Sequence, residues 1–241
     1  MSERNPILCA IDTPDAAVAC GLADAVGPFV GGIKLGLEFF TANGRDSVRQ
    51  VAGAAPLFLD LKLHDIPNTV AGAVRAVALL EPALLTVHCA GGAAMMQAAA
   101  READAAASGG LMRMKIIGVT VLTSLNDDDL ASVGQNGPAL DQVRRLAALA
   151  RDAGLDGVVC SPHEVAALRR ECGSDFLLVV PGIRPAGVVP AGAARQDDQK
   201  RVTTPRQALD AGADYLVIGR PITASSDPAA ACRAILAEVA A

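Results

Sequence analysis

Apolar residues fall along this chain in two alternating patterns. Short runs dominated by apolar residues occupy positions 7–11, 32–37, 57–63, 84–88, 115–122, 157–160, 176–180 and 215–218. Each has the length of a β-strand. Between them lie Ala-rich stretches whose apolar positions recur at helical spacing. Strand and helix therefore alternate from one end to the other, the pattern of parallel βαβ units. Eight such units in 241 residues predict a single α/β domain over positions 1–241, a (β/α)8 TIM barrel. A doubly wound open sheet also alternates strand and helix, but it usually opens with a Gly-rich turn after its first strand. Here that turn reads Asp12-Thr13-Pro14-Asp15, so the barrel is preferred.

Helix starts agree with this division. Thr13-Pro14, Ser161-Pro162, Thr204-Pro205 and Asp227-Pro228 each place a capping residue before a proline suited to a first helical turn. Ser161 with Glu164, and Thr204 with Gln207, also have capping-box spacing. The stretch 186–202 between the seventh strand and its helix is unusually long, which predicts a lid-like loop.

Composition narrows the core and the partners. Half of the residues are hydrophobic (51%) but only 2% are aromatic, so the core must be assembled from many Ala, Val, Leu and Ile side chains. A formal net charge of -5 offers no general attraction for nucleic acid or an anionic membrane, and neither is expected as a partner. An anionic substrate would need a local basic site. The six cysteines are far apart and form no C-x-x-C pair, which suits a reduced, intracellular chain. The N-terminus lacks the pattern of a signal peptide, and no apolar run reaches about 18 residues. A soluble, cytoplasmic protein is expected.

The third strand carries two opposite charges, Asp60 and Lys62, within its apolar run. Alternation places Asp60, Lys62 and His64 on one face and Leu59, Leu61 and Leu63 on the other. In a barrel the leucines meet the helices, and Asp60 and Lys62 project inward near the C-terminal mouth, where barrel active sites lie. Strand rise separates their backbones by about 6.5 to 7 Å, so their charged tips can meet. Desolvating both groups costs several kcal/mol each unless they pair, and a purely structural core would use Val or Ile. A structural ion pair nevertheless stays open at this point. Asp65, just past the strand, can bring a second carboxylate to the same ammonium, from this chain or from a partner. A lysine so held stays protonated and is placed to donate a proton.

Asp60-Leu61-Lys62-Leu63-His64-Asp65-Ile66-Pro67-Asn68-Thr69 resembles the signature D-x-K-x-x-D-I-P-N-T of the orotidine 5′-phosphate decarboxylase family. The resemblance continues at Asp12, at Lys34 in Gly32-Ile33-Lys34-Leu35-Gly36, and at Thr86-Val87-His88. It extends through Leu122-Thr123-Ser124, Pro181-Gly182-Ile183-Arg184-Pro185 and Ile218-Gly219-Arg220-Pro221. Nearly the whole chain is covered.

The resemblance implies removal of the C6 carboxylate of orotidine 5′-phosphate to give uridine 5′-phosphate, without metal or organic cofactor. It implies that Lys62 stabilises the C6 carbanion and protonates it, with Asp60 beside the departing carboxylate. Asp65 and Thr69 would reach the neighbouring subunit's site, giving a homodimer with shared active sites. Asp12 and Lys34 would bind ribose hydroxyls and complete the charged network, and Thr123 and Ser124 would bond the pyrimidine edge. Arg184 and Gly219-Arg220 stand in the two loops where barrels frequently bind phosphate. Gln199, in Asp197-Asp198-Gln199-Lys200-Arg201, would join them, although the chain departs from the family pattern over the Ala-rich stretch 190–195.

His64 and His88 could suggest a metal site with Asp60, but Lys62 would place an ammonium among the ligands, so none is expected. His88 is read as a hydrogen-bonded core residue and His163 as exposed in a first helical turn. Two other functions are weighed: a magnesium-dependent relative of the 3-keto-L-gulonate 6-phosphate decarboxylase type, which shares D-x-K-x-x-D, and a non-catalytic phosphate-ligand-binding barrel. The Ile66-Pro67-Asn68-Thr69 continuation disfavours the first. The second gains nothing from Asp60, Lys62 and Asp65 together.

Overall fold

A computed structural model describes residues 5–185 and 203–240. Its strands are β1 (Ile7–Ile11), β2 (Gly32–Gly36), β3 (Leu57–Leu63), β4 (Leu84–His88), β5 (Lys115–Val119), β6 (Gly157–Val159), β7 (Leu177–Val180) and β8 (Tyr215–Ile218). They pair in parallel in sequence order, and β8 returns to β1 to close the barrel. The helices are α1 (Ala16–Val26), α2 (Leu37–Ala52), α3 (Pro67–Ala78), α4 (Gly92–Ser108), α5 (Asp127–Ser132) and α6 (Ala139–Asp152). They continue with α7 (Val165–Cys172), α8 (Pro205–Asp210), α9 (Arg220–Thr223) and α10 (Pro228–Ala240).

Every strand predicted from the apolar runs is present, and the differences lie at the ends. The run at 32–37 stops as a strand at Gly36, and Leu37 already begins α2. The run at 115–122 leaves the sheet after Val119, where the Thr120 hydroxyl donates to the Val159 carbonyl at 2.9 Å. The apolar residues that overrun these strands, Leu37 and Leu122, are exposed, so hydrophobicity alone does not mark where a strand ends.

The caps divide similarly. Thr204 forms the expected capping box with Gln207, and the Asp227 carboxylate accepts from the Ala230 N–H at 2.8 Å. Helix α1 is capped by Asp15 rather than Thr13, whose hydroxyl instead accepts from the Asp15 N–H at 3.2 Å. At Ser161 only half of the box forms: Glu164 Oε2 accepts from the Ser161 N–H at 2.7 Å, while the Ser161 hydroxyl has no partner among the described residues. A turn over 162–164 intervenes, and α7 begins at Val165. His163 is exposed in that turn rather than in the helix.

Two apolar cores result from the alternation. Outward residues such as Ile33, Leu35, Leu59, Leu85 and Val158 pack against the helices, where Met95, Met96 and Ala99 supply the facing surface. Inward residues Leu8, Phe58, Leu84, Ile117, Val179 and Tyr215 fill the lower barrel. With so few rings, the helix–strand layer relies on small side chains and close backbone approach. Close backbone approach also occurs between strands: a Cβ at Gly157 on β6 would lie 2.3 Å from the Leu177 carbonyl oxygen on β7. Among the described residues no helix is long and apolar enough to cross a membrane.

Two alanine substitutions should therefore have opposite effects on stability. Gly157→Ala forces two backbones apart and is expected to destabilise by about 1–3 kcal/mol. Gly21→Ala, exposed in α1 with nothing within 4 Å of the new methyl, should stabilise by about 0.5–1 kcal/mol. Thermal unfolding of both variants, read as about 2–4 °C per kcal/mol, checks the pair.

Candidate active site

Above the apolar floor the barrel interior changes character. In register terms Lys34 stands beside Ala10 and Phe58, and Gly36 beside Asp60. Lys34 thus starts one level below Asp60 and extends its ammonium upward, to 3.0 Å from Asp12 Oδ1 and 3.7 Å from Asp60 Oδ2. Lys62 reaches the same Asp60 Oδ2 at 2.8 Å. Two carboxylates and two ammoniums so alternate around the mouth in the order Asp12, Lys34, Asp60, Lys62. Gly36 permits this crowding, since a Cβ there would stand 3.4 Å from the Lys34 ammonium.

Asp60 is the centre of this cluster, with a side chain only 13% exposed. Burial by itself pushes its carboxyl toward the neutral form. The Lys34 and Lys62 charges and hydrogen bonds from Lys62 and Thr86 outweigh that penalty, holding the carboxyl below the usual carboxylate range. Asp60 is accordingly ionised at neutral pH.

The local backbone is less regular than alternation predicts. Between β3 and β4 the register runs from Leu59 opposite Leu85 to Leu63 opposite Val87, so four steps on one strand face two on the other. Lys62 sits in this bulge with φ 50°, a left-handed conformation costing a lysine about 1–2 kcal/mol. The expectation that Asp60, Lys62 and His64 share one face by strict pleating is therefore corrected. Asp60 and Lys62 meet, but His64 is exposed beyond the bulge.

Thr86 on β4 spans the irregularity. Its hydroxyl donates to Asp60 Oδ1 at 2.9 Å and accepts the Lys62 N–H at 2.8 Å. Sequence reasoning did not assign it a site role, although a polar residue at an inward position of the apolar strand Leu84-Leu85-Thr86-Val87-His88 was a visible signal. His88, half-buried, was expected to be hydrogen-bonded. Instead its ring lies 5.4 Å from that of His64, tilted by 44°. Burial first, then proximity to His64 and Lys62, lowers its pKa against the opposing pull of Asp60. Among the described residues no group of three or more His, Cys, Asp or Glu side chains is disposed to hold a metal ion.

The remaining candidates surround the mouth. Asp65 is exposed, and its Oδ1 accepts from the Ile66 N–H at 2.6 Å rather than pairing with Lys62 of its own chain. Thr69 is also exposed, in the first turn of α3. Thr123 is half-buried and lines a small cleft with Leu125, Ser161, Glu164, Pro181 and Gly182, while Ser124 is exposed. Arg184 is half-buried beyond β7, its N–H bonded to the Thr203 carbonyl at 3.0 Å. Gly219 caps the short α9 that opens with Arg220, and a Cβ on it would stand 3.4 Å from Ala10 Cβ and 3.9 Å from Asp12 Oδ2. Residues 186–202, expected to form a lid-like loop and including Gln199, lie outside the described residues.

Neutralising Asp60 leaves Lys62 without its counter-ion and Lys34 with Asp12 alone, so Asp60→Asn should destabilise by about 3 kcal/mol at neutral pH. Because the folded-state pKa is depressed, this contribution is present above the unfolded value of 3.8 and vanishes as pH falls through the folded value. Denaturant unfolding of both proteins should show a gap that is widest near pH 7 and closes in strong acid.

The chain as a whole is similar to known proteins. Residues 5–235 match the family described as orotidine 5′-phosphate decarboxylase / HUMPS. The chain is 58% identical to the orotidine 5′-phosphate decarboxylase of Rhodospirillum rubrum, covering 98% of this chain and 94% of that one. It is 48% identical to that of Gluconobacter oxydans, over 100% and 99% of the two chains. The crystal structure of the Lactobacillus acidophilus enzyme of the same name superposes with a TM-score of 0.85 at 38% identity, covering 98% of this chain and 100% of that one. The chain belongs to the orotidine 5′-phosphate decarboxylase / HUMPS family.

Proposed function

We propose that this chain decarboxylates orotidine 5′-phosphate to uridine 5′-phosphate, a step of pyrimidine nucleotide synthesis, with Lys62 as the proton donor. The observation carrying this reading is the Lys62 ammonium held 2.8 Å from an ionised, nearly buried Asp60 at the C-terminal mouth of the barrel. The family description also covers HUMPS proteins, but the curated relatives at 48–58% identity are orotidine 5′-phosphate decarboxylases.

In the proposed step the bond between C6 and its carboxylate breaks, carbon dioxide leaves, and the electron pair stays on C6. The pyrimidine ring delocalises that charge poorly. An ammonium already fixed in place stabilises it without reorganisation, which is how preorganised charge lowers a barrier. Lys62 then gives its proton to C6 and is reprotonated from solvent. Asp60 holds Lys62 and lies beside the departing carboxylate. Within one chain the four charges alternate in sign and sum to zero, so the anionic substrate adds negative charge beside the Lys62 ammonium.

The other roles are those that the family resemblance implies. Asp12 and Lys34 would take ribose hydroxyls, and Thr123 and Ser124 the pyrimidine edge. Arg184, Gly219, Arg220 and Gln199 would take the phosphate. Asp65 and Thr69 would act in the site of a second copy, giving a homodimer with shared sites. Their exposure, beside an Ile66 that is 67% exposed, supports this. The single barrel would act without metal or organic cofactor. Six free thiols suit the cytoplasm.

The direct test is loss of ultraviolet absorbance when chelator-treated protein meets orotidine 5′-phosphate. Turnover is expected without added metal, and an absolute magnesium requirement would contradict the reading. Lys62→Ala should abolish turnover in a protein that remains folded and dimeric by circular dichroism and light scattering. Near-wild-type turnover in this variant would contradict the mechanism. Arg220→Ala should raise KM for the phosphorylated substrate by about tenfold or more, as expected for loss of a charge-assisted contact. An equal effect on the phosphate-free nucleoside would remove Arg220 from the phosphate site.

A further inference from the structure

Thr86 occupies a position that the decarboxylation chemistry leaves unassigned. Its side chain is fully buried in the middle of β4, level with the point where β3 and β4 lose register. A regular parallel ladder would give the Lys62 N–H a carbonyl on the neighbouring strand. The bulge removes that partner, and the Thr86 hydroxyl oxygen accepts the N–H instead, at 2.8 Å. Once this oxygen is used as an acceptor from Lys62, the hydroxyl proton is aimed at Asp60 Oδ1, 2.9 Å away.

One hydroxyl thus connects the backbone of one reacting residue to the side chain of the other. The bond to Oδ1 also divides the carboxylate. Oδ1 is engaged by a neutral donor, and Oδ2 is left to face both ammoniums, Lys62 at 2.8 Å and Lys34 at 3.7 Å. Rotation of the carboxylate about its terminal bond would exchange the two oxygens, and the fixed hydroxyl opposes that rotation.

We propose that Thr86 is a positioning residue for decarboxylation, holding the left-handed Lys62 backbone and the Asp60 carboxylate in one relative geometry through the two hydrogen bonds of its hydroxyl. The proposal rests on the reading of Lys62 and Asp60 as the reacting pair. Thr86 is buried behind Asp60 and does not enter the reaction itself. Deleting its hydroxyl should therefore slow the chemical step while leaving recognition of ribose and phosphate intact.

Thr86→Val keeps the branched shape and removes the hydroxyl, and Thr86→Ser keeps the hydroxyl. The measurements are kcat and KM for orotidine 5′-phosphate, the Kd of uridine 5′-phosphate, and the pH dependence of kcat/KM. For Thr86→Val, kcat should fall by tenfold or more, with KM and the product Kd changed less than threefold. Thr86→Ser should recover most of kcat.

The acid limb of the pH profile should move to higher pH in Thr86→Val, because the Asp60 carboxylate loses a donor that favours its charged form. The charged and titratable groups facing Asp60 are Lys34 on β2, Lys62 on β3, and His88 on β4 with His64 against it. Asp12 on β1 lies across Lys34. Wild-type protein and Lys62→Ala run in parallel under the same conditions.

A Thr86→Val kcat within twofold of wild type overturns the proposal and leaves the functional reading standing. So does a loss carried equally by KM and product affinity, or a Thr86→Ser variant as impaired as Thr86→Val. A wild-type protein without turnover overturns both. If Thr86→Val does not fold, Thr86→Ala carries the same expectations and the same contrary results.

Discussion

The sharing of one carboxylate by two ammoniums organises the upper half of this barrel. Asp60 alone, buried as it is, would be driven toward its neutral form, and either lysine alone would be an unpaired charge away from water. Together, and with Asp12 and Thr86, they form a set in which each charge is compensated by its neighbours. Such a set is stable only when complete. It must also stand on a rigid base, because displacement lengthens these contacts and weakens the compensation of each charge. The apolar layer of Leu8, Phe58, Leu84, Ile117, Val179 and Tyr215 beneath it supplies that base.

The strained element lies where the chemistry is proposed. Lys62 is one of two described non-glycine residues with positive φ, the other being Glu81, and it lies in the break between two otherwise paired strands. A regular strand would hold Lys62 to the pleat set by Leu61 and Leu63. The bulge frees it from that constraint, and its ammonium meets the same oxygen of Asp60 that Lys34 approaches. The lost ladder bond is recovered through Thr86. Strain and compensation are therefore local, confined to β3 and β4, and the other six strands keep continuous parallel pairing with their neighbours.

Much of this is legible in the amino-acid sequence. Eight apolar runs divided by Ala-rich helical stretches specify parallel βαβ units because strand and helix periods are set by the backbone, and eight units close a barrel. Inward projection of Asp60 follows from period two along a strand. Lys34 was harder to place on residues alone, since a strand-end lysine is ordinarily solvated, and its 10% exposed side chain is a consequence of barrel register that brings it beneath Asp60. The cap at Asp15 rather than Thr13 turned on loop geometry that several capping residues in a row leave open.

The sequence by itself determined the order of the elements, the apolar faces and the residue types aimed at the mouth, because these depend on local periodicity. Only the tertiary structure decided which of those charges touch. The bulge at Lys62, the bridging hydroxyl of Thr86 and the exposure of His64 and Asp65 depend on how β3 and β4 fit together. The pairing of residues separated by 24 and 26 positions is a property of the closed barrel, and no local pattern encodes it.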